Sequence, residues 1–272
     1  MIRIKQAYIA SCVRSFEAEF RSKFELEPYK DPNTPAVFFG CYPPAKANRR
    51  PDISLVAQHR ALGIVVWCGG DAMYAAGARK RDYAKVFSNP NIRHVAMSRF
   101  ISNDLSSLGV KHIQLPICPT IEVDYAPTPL GPHVYIYLGA HANTEFYGGS
   151  VFKAVKAALP QFSYEICYSG PPDHHLLSEM PQIYSRCFIG LRLTKHDGLA
   201  NTVVQLGLMG RRCIWNGGLP NCIPWSNTQD VVSAILEESK HIGETNTDVA
   251  DGVRTALKLP PDWLHNTYWK IK

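Results

Sequence analysis

Short apolar runs rich in β-branched and aromatic residues alternate with helix-length amphipathic segments along the whole chain, and that alternation confines it to an α/β fold built on parallel sheets. The runs PAVFFGCY (35–42) and GIVVWCGG (63–70), and CFIGL (187–191) at the head of CFIGLRL, carry no charged residue. Strands covered by helices on both faces read that way, whereas a strand with one wet face alternates. Between the runs, SFEAEFRSKF (15–24) repeats Phe at i, i+4 and i+8, the period of a helix face.

The pattern runs twice. The first set is IRIKQAYIA, SFEAEFRSKF, PAVFFGCY, DISLVAQHRAL, GIVVWCGG, IRHVAMS, RFISNDLSSLG and KHIQLPI, read as strand, helix, strand, helix, strand, strand, helix, strand. A Pro-rich stretch, PTIEVDYAPTPLGPH, follows. HVYIYLGAH, SVFKAVKAALP, FSYEICYSG, LSEMPQIYSRC, CFIGLRL, GLANTVVQLGLMG, RRCIWNGG, NTQDVVSAILEESKHIG and VADGVRTALKL then restart the series, again with strands and helices in alternation before two final helices. The expectation is two Rossmann-like, doubly wound domains facing a cleft, over 1–120 and 134–272, with a linker at 121–133.

The chain has 272 residues, of which 46% are hydrophobic and 19% charged, so it can bury real cores. It holds no apolar run near the roughly 20 residues that span a bilayer, and a cytoplasmic protein is expected. None of its eight cysteines forms a C-x-x-C pair, which argues against a zinc site and for buried reduced thiols. The net charge of +6 is uneven: residues 1–120 hold 17 Lys/Arg against 9 Asp/Glu, and residues 121–272 hold 12 against 14. The first half is therefore expected to meet something anionic.

Open parallel sheets bind ligands at the carboxyl ends of their strands, which directs attention to KHDGLANTVVQLGLMG (195–210). A helix starting near Gly198 presents the main-chain N–H groups of Gly198, Leu199, Ala200 and Asn201, a setting that favours phosphate. Arg192 and Lys195 precede it and add positive charge. Gln205 follows Asp197 by eight residues, roughly 12 Å along a helix, a spacing suited to a ligand with hydroxyls at both ends and phosphates between. The plain alternative makes Asp197 a helix cap and Gln205 an exposed helix residue. His141, on the loop after HVYIYLG, is a candidate for a phosphate or sugar hydroxyl. Asp71, after a strand and two glycines, is a candidate to deprotonate or position an acceptor hydroxyl, with a helix cap as its alternative.

The D-x7-Q arrangement in HDGLANTVVQLGLMGRRCIW resembles the E-x7-E region of GT-B glycosyltransferases. YIYLGAH resembles the opening of their donor domain, and LGVKHIQLPICPTIEVD the exit from their first domain. The resemblance implies a nucleotide-diphosphate sugar as donor, a UDP-sugar first among them, with Asp197 at the sugar and Gln205 at the ribose. It covers most of the chain and departs from the family at both acids. No D-x-D motif occurs, so no obligatory metal is expected. The basic clusters Arg49–Arg50 and Arg79–Lys80–Arg81, with Tyr42 to stack a base, are similar to the charge pattern of compact phage-type enzymes that glycosylate hydroxymethylated bases. They suggest double-stranded DNA as the acceptor. The alternatives are a cell-envelope polysaccharide or lipid-linked glycan, with the basic face on anionic headgroups, an epimerase-like GT-B enzyme, and a non-catalytic nucleotide- or DNA-binding module.

Overall fold

A computed structural model describes residues 3–43, 52–170 and 175–269. The chain divides into two compact units: Met1–Pro119 with His196–Leu199 and Lys258–Lys272, and Thr120–Lys195 with Ala200–Leu257.

The first unit holds β1 (Gln6–Ile9), β2 (Glu27–Pro28), β3 (Ala36–Phe39), β4 (Gly63–Trp67), β5 (Ile92–Ala96) and β6 (His112–Gln114). Its helices are α1 (Glu17–Phe24), α2 (Asp52–Ala57), α3 (Gly70–Ala76), α4 (Ala84–Phe87) and α5 (Arg99–Ser107). The strand order is β2-β1-β3-β4-β5-β6, every ladder being parallel. All residues of β3 and β4 are buried, as their unbroken apolar character requires. On α1 the Phe20 and Phe24 rings stack on Phe39 of β3, with centroids 4.1 and 6.2 Å away.

The second unit holds β7 (His133–Tyr137), β8 (Ser163–Cys167), β9 (Cys187–Leu191), β10 (Arg212–Ile214) and β11 (Cys222–Ile223). Its helices are α6 (Gly149–Ala158), α7 (Met180–Ser185), α8 (Asn201–Leu208), α9 (Thr228–Glu238) and α10 (Thr247–Ala256). This sheet is also wholly parallel, in the order β8-β7-β9-β10-β11. The order of the first sheet, less its last strand, is therefore repeated. In each, winding goes one way from the first strand to the second and then reverses, which puts a switch point between β1 and β3 and another between β7 and β9. Val134, Ile136, Phe188, Ile189 and Ile214 form the centre of the second core, under Phe152 and Val155 of α6 and Val231 and Ile235 of α9.

The units differ from the expected boundaries in three places, one of them His196–Leu199, which groups with the first unit. Residues 258–269 were expected in the second domain but group with the first. The Trp263 ring meets Phe24 edge-on at 5.2 Å, Ile4 N–H donates to the Leu264 carbonyl, and Trp269 Nε1 donates to the Trp263 carbonyl. The Pro-rich stretch expected as a linker is held on the second unit by Arg211, which is fully buried. Its guanidinium donates to the carbonyls of Thr128 and Pro129, and also to those of Ser185, Cys187 and Met209. Prolines at 127, 129 and 132 remove the N–H groups that a strand or helix would need, so a cation collects the carbonyls instead.

Among the described residues no helix is long and apolar enough to cross a membrane. All eight cysteines are free thiols, and five of them are buried.

Candidate functional site

The switch point of the second sheet gathers polar and aromatic groups from three strand ends. Arg192 immediately follows β9, and its N–H continues the ladder by donating to the Ile214 carbonyl. The side chain is only 8% exposed, yet it is a cation. Its guanidinium lies 4.8 Å from the Tyr137 ring centroid and 4.9 Å from that of Tyr147. Both rings turn an electron-rich face to the charge, and this attraction offsets part of the desolvation of burying it. Tyr137 ends β7, and Tyr147 ends the 3-10 turn His141–Tyr147 that follows.

That geometry depends on Gly139. Its φ is +66°, and a Cβ there would lie 2.1 Å from the Tyr147 ring, so any side chain would drive the ring off Arg192. Beyond the strands, Leu138 N–H donates to the Cys167 carbonyl and Ser169 N–H to the Gly139 carbonyl, which ties the β7 and β8 loops together. His141 and Tyr168, one from each loop, stack 3.9 Å apart at 17°. Of the expected donor residues, the sheet thus brings His141 and Arg192 to the carboxyl ends of adjacent strands. Lys195 is exposed, three residues beyond Arg192.

Helix α8 begins at Asn201, behind Ala200, whose methyl cannot cap an N–H. Leu199 and Ala200 are buried and Asn201 is half-buried. Gln205 does not line a ligand surface as expected. It is 4% exposed, and its Oε1 accepts the Tyr184 hydroxyl at 3.0 Å. Tyr184, on α7, is itself fully buried and packs edge-on to Tyr135 at 5.0 Å. A buried hydroxyl needs an acceptor, and Gln205 is that acceptor. Replacing Gln205 with leucine should leave it orphaned and lower unfolding free energy by about 1–3 kcal/mol in urea titrations.

In the first unit, Asp71 opens α3 and is fully buried. Its carboxylate accepts main-chain N–H groups from Cys41, Cys68, Gly69 and Ala72 at 2.9–3.2 Å. Burial pushes its pKa up to about 6, against those four donors, which pull it down. Instead of facing an acceptor hydroxyl, it fastens the loop after β3 to the loop after β4.

The segment His196–Leu199 belongs to this unit. Ser98 Oγ donates to the Asp197 carbonyl at 2.9 Å, and His196 Nε2 lies 2.7 Å from Asp104 Oδ2. Asp197 Oδ1 accepts Gly198 N–H at 2.9 Å. Gly198 lies so close to β4 that a Cβ would come within 2.1 Å of the Cys68 carbonyl oxygen. Asp197 and Gln205 therefore fall in different units. Tyr42 is half-buried, its N–H donates to Asp52 Oδ2 at 3.1 Å, and burial pushes its hydroxyl pKa up. Arg79, Lys80 and Arg81 are all exposed, with Arg79 Nε paired to Asp82. Arg49 and Arg50 lie outside the described residues. Among the described residues no three His, Cys, Asp or Glu side chains converge as metal ligands.

Sequence reasoning points to the turn that opens with Tyr168 but singles out none of the three tyrosines Tyr137, Tyr147 and Tyr168. Their signal was faint but present, since each falls in a segment that ends or follows an apolar strand.

No protein-family model matches the chain, and no curated protein sequence matches it. Solved structures do. Sucrose-phosphate synthase from Thermosynechococcus elongatus superposes with a TM-score of 0.61 at 11% identity, covering 94% of this chain and 75% of that one. TarM gives 0.60 at 10% identity, over 89% of this chain and 55% of TarM. An S. aureus TarM variant in complex with Fondaparinux, alpha-GlcNAc-glycerol and UDP gives 0.54 at 10% identity, over 87% and 55%. The chain thus spans little more than half the length of TarM. These neighbours are GT-B glycosyltransferases, and at such identities the likeness is one of fold.

Proposed function

We propose that the chain is a glycosyltransferase that takes a sugar from a nucleotide-diphosphate sugar, a UDP-sugar first among them, and passes it to a hydroxyl of a cell-envelope glycan or polyol. The observation that carries this reading is the position of Arg192 at the switch point of a parallel sheet whose fold is shared with glycosyltransferases. A guanidinium offers a planar fork of donors that matches two phosphate oxygens at once. Lys195 adds a second charge, and the start of α8 adds main-chain dipoles to the same diphosphate. In transfer, the bond between the anomeric carbon and the diphosphate oxygen breaks, and the nucleoside diphosphate leaves with the electron pair. The acceptor oxygen bonds to the anomeric carbon, and its proton passes to the departing diphosphate or to water. Negative charge grows on the leaving phosphate, which is where fixed cations lower the barrier. His141 is assigned to the phosphate or a sugar hydroxyl.

The acceptor class follows the neighbours. The TarM variant is in complex with Fondaparinux, alpha-GlcNAc-glycerol and UDP, a glycosylated polyol and a nucleotide among them. The DNA acceptor expected from the charge split has no such support and rests on the basic residues alone.

The test starts with thermal shifts in UDP, GDP, ADP and their sugars. A ligand at 100 times its Kd stabilises by about 2.7 kcal/mol, and no shift with any of them removes the reading. Arg192→Ala should weaken nucleotide binding by about 1.5–3 kcal/mol in calorimetry. Radiolabelled transfer to polyol-phosphate and glycan acceptors, set against hydroxymethylated duplex DNA, then assigns the acceptor.

A further inference from the structure

Residues 73–85 of the first unit form one two-faced surface. Asp71, Ala72 and Ala75 of α3 are buried, as are Tyr83 and Val86 further on. The Tyr83 hydroxyl donates to the Cys41 carbonyl at 2.9 Å, and its ring lies 5.6 Å from that of Trp67. This inner face pins the segment to the sheet. The outer face displays Met73 and Tyr74, 38% and 46% exposed, together with Arg79, Lys80, Arg81 and Lys85, all exposed. The apolar and basic parts adjoin: Arg79 N–H donates to the Tyr74 carbonyl at 3.3 Å, and Lys80 N–H to the Gly77 carbonyl at 3.3 Å. Asp82, ion-paired to Arg79, is the single acid among residues 79–85, so the patch keeps a clear positive excess.

We infer that this face seats the protein on an anionic lipid bilayer, with Tyr74 and Met73 at the headgroup level and Lys80, Arg81 and Lys85 on lipid phosphates. Two features select lipid over nucleic acid. Tyrosine joins an apolar ring to a polar tip and suits the membrane boundary, and Met is a flexible apolar filler that gives a phosphate backbone no hydrogen bond. A basic rim beside exposed apolar side chains is the composition of an interfacial anchor. The attraction of each cation to an anionic leaflet is worth about a fivefold change in partition. The inference is independent of the donor reading, because no nucleotide enters it.

The test is co-sedimentation with vesicles of phosphatidylcholine alone or with about 30% phosphatidylglycerol. Binding is expected only with the anionic lipid, and it should weaken with salt as exposed charges are screened. Lys80→Ser/Arg81→Ser/Lys85→Ser should lower partition about 100-fold, at fivefold per charge. Met73→Ser/Tyr74→Ser should lower it at least about tenfold with the charges intact. All substituted side chains are exposed, and thermal melts of both variants check that the fold is kept. Three results would each overturn the inference: equal binding to neutral vesicles, an unchanged partition in the Met73/Tyr74 variant, or duplex DNA bound more tightly than vesicles and lost in the Lys80/Arg81/Lys85 variant. Nucleotide-sugar binding measured on the same samples reports on the donor reading separately.

Discussion

Arg211→Ala is expected to destabilise the second unit by about 3–5 kcal/mol, the scale of leaving several buried carbonyls unmet at about 1–3 kcal/mol each. The guanidinium is fully buried and holds carbonyls from three parts of the chain: Thr128 and Pro129 before β7, Ser185 and Cys187 around the end of α7, and Met209 after α8. Each carbonyl was taken from water on folding, and without the arginine several are left unmet. Burial lowers the Arg211 pKa to about 10, so the group is still a cation at neutral pH. Arg211→Lys keeps a charge but loses the planar fork, and one ammonium cannot reach carbonyls spread around a guanidinium. The lysine variant should fall between wild type and alanine. Urea unfolding followed by far-UV circular dichroism measures both. An alanine variant within about 1 kcal/mol of wild type would mean that water or a shifted backbone replaces the guanidinium.

The alternation that confined the chain to parallel α/β units was legible because central parallel strands are buried on both faces. β3, β4 and β9 announce themselves as AVFF, GIVVW and CFIGL. The strands β2 and β11 were not legible: each has two residues, Glu27–Pro28 and Cys222–Ile223, and such edge pairings are set by the neighbouring strand rather than by composition. The tail 258–269 could not be assigned from local pattern, since Trp263 reaches Phe24, far away in sequence.

The site divides in the same way. Arg192 and His141 were readable, because ligands gather after the strands of such sheets and those loops follow obvious strands. The two rings on Arg192 were not, because a pairing between residue 192 and residues 137 and 147 exists only once β7 and β9 lie side by side. Gln205 looked like a ligand residue because its partner, Tyr184, sits on a different helix. Polar residues that serve a core and polar residues that serve a ligand have the same letters; only the partner separates them.

Asp71 is the sharpest instance, and its variants should behave as a loop fastener's. Asp71→Ala leaves four main-chain N–H groups without their acceptor, those of Cys41, Cys68, Gly69 and Ala72. At about 1–3 kcal/mol for each buried donor left unmet, and with some relief from water, a loss of about 4 kcal/mol is expected. The pH dependence gives an independent check. The folded pKa, about 6, lies above the unfolded carboxyl value, so the folded state holds the proton more tightly. The resulting stability is complete below the unfolded pKa near 4 and is lost as pH rises through about 6. Wild type should therefore lose stability between about pH 4 and 6.5 by an amount on the order of 3 kcal/mol from this group, each pH unit between the unfolded and folded values being worth about 1.36 kcal/mol. Asp71→Ala and Asp71→Asn should both lack that component of the slope, seen by comparing urea midpoints across the range. Asparagine keeps one acceptor oxygen and carries no buried charge, so it should be the milder change. Turnover separates this role from acid–base chemistry: a loop fastener leaves the rate of a correctly folded Asp71→Asn within a few-fold of wild type, whereas loss of a general base costs roughly 100-fold or more. A drop of that size in a variant whose stability is intact would return Asp71 to the reaction.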